Sequence, residues 1–139
     1  MSYTDLVQMY FERSNALQWL WTLYVVIAGG LLAFSSMRKQ RDVTTTALVT
    51  VLFCVFAYKN LGGLKDVTMH RFAILQALKG HPAVAVDTGA ARAAQLVEPT
   101  LVPPPWEEGR NTHVVSDVLL VAALWTMELR RRRQATGNS

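Results

Sequence analysis

The chain has 139 residues, about one domain's worth of material, and it is 51 % hydrophobic and only 17 % charged. Its net charge of +4 could suit nucleic acid if the cations covered one face of a soluble domain. The densest cations instead form two short clusters that directly abut apolar runs. This distribution argues against a nucleic-acid partner and favours an integral membrane protein whose surroundings are a lipid bilayer.

Residues 1–15 form an amphipathic lead-in. Apolar side chains recur at helical spacing at Leu6, Val7, Tyr10 and Phe11, with polar residues between them. Two interpretations remain open for this segment. It is either a helix lying in the membrane interface or a disordered terminus.

The first transmembrane helix is predicted over 16–37, where no charged residue occurs. This window is long enough to cross a hydrocarbon core of about 30 Å. A signal peptide is disfavoured because the run ends in a basic cluster and not at a cleavage site. A buried helix in a soluble bundle is disfavoured because so short a chain has few elements to surround it. Aromatic residues near its beginning predict an interfacial belt: Trp19, Trp21 and Tyr24.

A short polar segment, 38–42, is predicted to be a cytoplasmic link that forces an antiparallel hairpin. The second transmembrane helix is predicted over 43–61, with Lys59 able to extend its amine toward the surface. Gly62-Gly63 is expected to end it. Cys54 lies inside this helix, and as the only cysteine it can form no internal disulfide.

The segment 62–112 is predicted to be an extracytoplasmic loop of roughly fifty residues, long enough to hold short helices of its own. One such helix is expected over Val67–Leu78 and another, capped by Asp87, further along. The run Pro103-Pro104-Pro105-Trp106 predicts an extended path. It is either a stiff connection or a ligand for an aromatic groove of another protein.

The third transmembrane helix is predicted over 113–129, followed by a basic cytoplasmic tail over 130–139. Lys and Arg favour the cytoplasmic side. Three spans place both basic clusters on that side, whereas two spans would separate them. The amino terminus is then outside and the carboxyl terminus in the cytoplasm, in a membrane expected to be the bacterial inner membrane. The residues expected to anchor this topology are Arg38, Lys39, Arg41, Arg130, Arg131, Arg132 and Arg133.

Asp117 is the most informative residue, because it lies about one turn inside the predicted third helix. An intramembrane carboxylate costs roughly 2.5–3.5 kcal/mol at the bilayer centre and less near an interface. Lys59 is expected at a similar depth, which predicts an Asp117–Lys59 pair between the second and third helices. Two alternatives stay open: Asp117 reaches outer water, or it forms a functional proton or ion site.

His113 precedes Asp117 by one helical turn, so both project from one face. Together with Glu107 or Glu108 they could bind a divalent metal, but the sequence offers no ligand motif at the required spacing. The chain also lacks a nucleophile elbow, a phosphate-binding glycine loop and a zincin motif. We therefore expect no catalytic residues, no cofactor and no metal, and we expect a protein that is not an enzyme.

The sequence predicts an all-α integral membrane protein with three transmembrane helices. The expected role is a non-catalytic accessory or scaffolding subunit that associates with other membrane proteins or with itself. The layout of three spans, an outside amino terminus and a basic tail resembles that of one class of phage holins, although the long outer loop departs from it. That resemblance implies the main alternative, an oligomeric pore that uses Asp117. A membrane enzyme with a metal at His113 and Asp117 is a third possibility.

Overall fold

The computed structural model describes residues 2–40, 42–80, 101 and 103–137, and this part of the chain contains three long α-helices. Helix α1 spans Tyr3–Met37, α2 spans Val43–Lys79 and α3 spans Trp106–Gly137. All three are long and apolar enough to cross a membrane. The predicted all-α class with three candidate transmembrane helices is therefore confirmed for the described residues, and such helices indicate a membrane location.

The helices are considerably longer than the membrane spans predicted from apolar runs. They contain 35, 37 and 32 residues, which at about 1.5 Å per residue gives lengths of roughly 48–55 Å. A hydrocarbon core is only about 30 Å thick. Each helix is therefore longer than one crossing of a hydrocarbon core requires.

The lead-in is not a separate element, because α1 begins at Tyr3 and runs unbroken into the first span. Ser2 caps the helix, since its hydroxyl accepts the Asp5 backbone N–H while the Asp5 carboxylate accepts the Ser2 N–H. Ser14 does not start a new helix, and its hydroxyl donates to the Tyr10 carbonyl oxygen at 2.9 Å. Residues 1–15 are thus neither disordered over their described part nor detached from the first span.

Gly62-Gly63 does not end the second helix, because α2 continues through both glycines to Lys79. A helical glycine costs about 1 kcal/mol relative to alanine. Tertiary packing outweighs that cost here, since the next residue, Leu64, is only 2 % exposed. The predicted helix at Val67–Leu78 is real, but it is the last part of α2.

Helix α3 begins at Trp106, directly after the prolines, and so it starts earlier than the predicted span. Proline favours the start of a helix because it has no N–H to leave unsatisfied. Glu107 and Glu108 lie in the first turn, where acidic side chains interact well with the helix dipole. The helix also continues into the arginines. The predicted helix after Asp87 lies outside the described residues.

Two apolar clusters hold the bundle together at different heights. One, in the span region, combines Tyr24, Phe53, Ala57 and Leu120 from all three helices. The other joins the first turns of α1 to the last turns of α2 and includes Leu6, Tyr10, Ile74, Leu75, Leu78 and Leu101. We call the end of the bundle nearest to this second cluster the loop end. The opposite end, which carries Arg38, Lys39 and Arg130–Arg133, is the basic end.

Candidate functional site

Three polar side chains meet inside the bundle toward the loop end. The Tyr24 hydroxyl donates to Asp117 Oδ1 at 2.9 Å, and His113 Nδ1 lies 2.8 Å from Asp117 Oδ2. The Tyr24 and His113 rings also pack together, with centroids 4.3 Å apart, and Trp21 adds a second aromatic contact to His113. We call Tyr24, His113 and Asp117 the loop-end cluster.

The imidazole of His113 is fully buried, and its Nε2 atom has no hydrogen-bond partner. The other ring nitrogen, Nδ1, faces Oδ2 of Asp117. One nitrogen of the imidazole is therefore bonded to the carboxylate, and the other is enclosed without a polar partner.

The predicted pair between Asp117 and Lys59 does not form within the chain. Asp117 is bonded to Tyr24 and His113, whereas Lys59 occupies an exposed position on α2. The part of the chain that the structure describes contains no ion pair or hydrogen bond between these two residues. The two side chains face different surroundings, because Asp117 is bonded inside the bundle and Lys59 is exposed.

A second buried acid, Glu128, lies at the basic end and is only 2 % exposed. Its Oε1 accepts the Asp42 backbone N–H at 2.9 Å, and its Oε2 accepts the Thr46 hydroxyl and Arg131 Nη1, each at 3.0 Å. Arg131 Nε donates in turn to the Arg38 carbonyl oxygen at 2.8 Å. We call Glu128, Arg131, Thr46 and the backbone groups they bind the basic-end clamp.

The clamp satisfies helix ends that would otherwise carry free backbone groups. Glu128 binds an N–H at the start of α2, while Arg131 binds carbonyl oxygens at the end of α1, including that of Ser35. One turn of α3 therefore fastens the whole α1–α2 connection. A glutamate three residues before an arginine predicts a helical ion pair. The backbone groups that Glu128 and Arg131 also bind are distant in the chain, so no local pattern predicts them.

The predicted topology anchors divide into two kinds. Arg38 donates to the Thr46 hydroxyl at 3.1 Å and the Asp42 carbonyl oxygen at 3.0 Å, so it belongs to the helix connection. Arg131 is also committed to buried contacts. Exposed positions are occupied by Lys39, Arg130 and Arg133. Arg41 and the side chain of Arg132 lie outside the described part of the structure.

The three residues of the predicted aromatic belt differ in how exposed they are. Trp19 is 69 % exposed, as expected for a side chain that faces lipid or its interface. Trp21 is half-buried against His113, and Tyr24 is only 5 % exposed in the core. A tyrosine hydroxyl inside a span needs a hydrogen-bond partner. This requirement could have indicated, from the sequence alone, that Tyr24 is a hydrogen-bond partner of Asp117.

Beyond the span, Tyr10 ties the extended helices to the connecting segment. Its hydroxyl donates to the Leu101 carbonyl oxygen and accepts from Arg71 Nη2 at 2.8 Å. The Arg71 guanidinium also lies 5.0 Å from the centre of the Tyr10 ring, within the range of a cation–π contact. The prolines pack nearby, where Pro103–Pro105 and Trp106 line a small cleft with Leu17, Trp21 and Leu64. The triproline thus has partners in its own chain.

An open groove runs along the bundle surface between α1 and α3. It is lined by Tyr24, Ala28, Leu32, Ser116, Leu119, Leu120 and Ala123. Small side chains allow close approach of another helix in a membrane. Tyr24 connects the groove to the loop-end cluster, because it lines the groove and binds Asp117.

The loop-end cluster has limited chemical options. Its histidine is inaccessible, and the described residues contain no group of three histidine, cysteine or acidic side chains that could hold a metal ion. Glu107 and Glu108 occupy exposed positions in the first turn of α3. What the cluster does offer is a carboxylate that is bonded to a hydroxyl and an imidazole and is still partly accessible, with 22 % of its side chain exposed.

Comparison of the chain with known proteins gave no match to a family model, to a curated protein or to a solved structure.

Proposed function

We propose that the protein is a non-catalytic accessory or scaffolding subunit of a membrane, which works by associating with other membrane proteins or with copies of itself. The observation that carries this proposal is the chemical difference between the inside and the outside of the helix bundle. Polar groups within the bundle bind one another, whereas the outward faces of the spans present apolar side chains and a groove. Such a surface suits helix packing in lipid better than it suits chemistry on a substrate.

The glycines of α1 support close helix contacts from outside. Gly29 and Gly30 occupy exposed positions, and a Cβ atom added to either would meet nothing within 4 Å. These glycines are therefore not required for packing within the chain. Small residues on a lipid-facing surface let a neighbouring helix approach its backbone, which strengthens van der Waals contact between helices.

The alternative role, an oligomeric pore that uses Asp117, receives less support. Both carboxylate oxygens of Asp117 are bonded within the chain. The hydroxyl of Thr46 serves the basic-end clamp, and that of Thr50 donates to its own helix. Groups that line a water-filled path need to be free to exchange partners with water and ions.

We further propose that the basic end faces the cytoplasm of a bacterium and that the protein resides in the inner membrane. Lys39, Arg130 and Arg133 are exposed at that end, which fits the preference of Lys and Arg for the cytoplasmic side. A reporter fused to the carboxyl terminus should then read cytoplasmic, and one fused to the amino terminus extracytoplasmic. The opposite pattern would reject this orientation without affecting the fold.

Association is tested by extraction in a mild detergent or a native nanodisc, followed by mass measurement and identification of all proteins present. We expect a species larger than the 15.5 kDa chain, with a fixed stoichiometry. The chain alone, monomeric at every extraction condition, would contradict the proposal. Ion leakage on expression, lost when Asp117 is replaced by Asn, would favour the pore.

A further inference from the structure

An open cleft of about 630 Å³ is lined by residues of α2 and α3 toward the loop end. Three of the side chains that line it are positively charged, namely Lys59, Lys65 and Arg110. One acid, Asp66, also lines it, so the lining carries three cations against one carboxylate and a net charge of +2. We call this site the lysine cleft.

The cations of the lysine cleft are not neutralised within the part of the chain that the structure describes. Lys59 and Lys65 occupy exposed positions, and none of the ion pairs among the described residues includes either of them. Arg110 donates to the side-chain oxygen of Asn111 at 3.3 and 3.4 Å, which is a neutral acceptor. The cleft therefore has the charge and the space to take an anion.

The lysine cleft lies at the depth of lipid headgroups. A hydrocarbon core of about 30 Å corresponds to roughly 20 residues of helix. A crossing by α2 that begins at Val43 therefore ends near residue 62, between Lys59 and Lys65. Tyr58 and Trp106 also line the cleft, and Tyr58 is 75 % exposed. Tyrosine and tryptophan are enriched where a membrane meets water.

The surface of α2 below the cleft is apolar. Leu52 and Val55 precede Lys59 by seven and four residues, so all three lie on one face of the helix. Leu52 is 61 % exposed and Val55 is 57 % exposed. An anion with hydrocarbon chains attached can therefore use both the cations of the cleft and this apolar face.

We propose that the lysine cleft binds the phosphate group of an anionic phospholipid. Lys59 and Lys65 supply positive charge, and Arg110 supplies planar donors that suit phosphate oxygens. Basic pockets between membrane helices are known to bind such headgroups. A free phosphate ion shares this chemistry but makes no use of the apolar face of α2. The inference goes beyond the proposed function, because a lipid can bind whether or not the chain associates with other proteins.

The test titrates dioleoyl phosphatidylglycerol into the full chain, purified in a mild detergent, and counts bound lipid by native mass spectrometry. We expect phosphatidylglycerol to bind more tightly than zwitterionic dioleoyl phosphatidylcholine. The double variant Lys59→Gln/Lys65→Gln should weaken phosphatidylglycerol binding about tenfold or more. The matched control is Lys39→Gln/Arg133→Gln, which removes two exposed cations from the basic end and should leave the tightest lipid bound.

A second variant, Gly62→Leu, separates the shape of the cleft from its charge. Gly62 lines the cleft, and a Cβ atom added there would meet nothing within 4 Å. The leucine keeps all three cations but occupies space that the headgroup needs, so we expect weaker phosphatidylglycerol binding. Leucine also favours a helix more than glycine does, so helix content by circular dichroism should be retained.

Each remaining outcome would overturn the proposal. Phosphatidylglycerol binding that is unchanged in the lysine double variant, or weakened equally in the control, would show that the cleft is not the site. Unchanged binding in Gly62→Leu would remove the ligand from the cleft. Equal binding of the two lipids would remove the preference for an anion. Inorganic phosphate that displaces the lipid at the same concentration would assign the cleft to a free phosphate ion.

Discussion

The two acids that α3 places inside the bundle lie toward opposite ends and have different surroundings. Glu128 is bonded to a cation, Arg131, and accepts two further hydrogen bonds from the start of α2. Asp117 is bonded to Tyr24 and His113 and keeps part of its side chain accessible. An acid inside a helix bundle can therefore either fasten other helices or remain partly open. The basic-end clamp encloses its acid, whereas the loop-end cluster leaves part of its acid exposed.

The largest expected effect comes from breaking the clamp at its cation. Arg131→Ala leaves Glu128 buried without a positive partner and frees two carbonyl oxygens at the end of α1, so we expect a loss of about 3–5 kcal/mol in the free energy of unfolding. The measurement is unfolding in mixed micelles with increasing denaturing detergent. Arg130→Ala is the control, because Arg130 is exposed, and it should change stability by less than about 0.5 kcal/mol. Equal effects of the two substitutions would show that the clamp does not stabilise the fold.

Matched removal of the two acidic charges sharpens the comparison. Glu128→Gln leaves the Arg131 cation uncompensated, and we expect a destabilisation of about 2–3 kcal/mol. Asp117→Asn keeps an acceptor for Tyr24, and no Lys or Arg is bonded to Asp117 within the described residues, so the monomer should change by less than about 1 kcal/mol. Both values come from the same detergent titration, carried out at a dilution that separates the copies. A larger effect at Asp117 than at Glu128 would reverse the assignment.

Much of the architecture could be predicted from the sequence, because apolar runs and their basic ends report where a helix can cross a bilayer. The helix ends could not. The local sequence Gly62-Gly63 predicts the end of a helix. The helix continues because α2 packs against α1 on both sides of these glycines. The candidate site could likewise be predicted only in part. Asp117 stood out by its chemistry, but its partner Tyr24 depends on how α1 and α3 pack, which no local pattern records.

The hydroxyl of Tyr24 separates hydrogen bonding from ring packing in the loop-end cluster. Tyr24→Phe keeps the ring against His113 but removes one donor from Asp117, so we expect a loss of about 1–2 kcal/mol in unfolding free energy. Tyr58→Phe serves as the control, because that side chain is 75 % exposed. Thermal unfolding monitored by circular dichroism compares the two. A Tyr24→Phe protein as stable as the control would mean that the hydroxyl contributes nothing.

The smallest expected effect is a pH dependence at the start of α2. Hydrogen bonds from the Thr45 hydroxyl and backbone N–H lower the pKa of Asp42 below its ordinary value of 3.8. A lowered pKa means that the stabilising contribution is fully present above the ordinary value and is lost as the pH falls through the folded-state value. Amide exchange in the first turn of α2 should therefore accelerate only in strong acid. Asp42→Asn should abolish that pH dependence, and a variant with an unchanged acid profile would contradict the assignment.

The central claim is that the protein works by associating with other membrane proteins or with copies of itself, and the mass of the native assembly tests it most directly. The measurement is mass determination after extraction in a mild detergent or a native nanodisc, with identification of all proteins present. The account predicts a species larger than the 15.5 kDa chain, with a fixed stoichiometry. A chain that stays monomeric at every extraction condition, with no other protein bound, would contradict it.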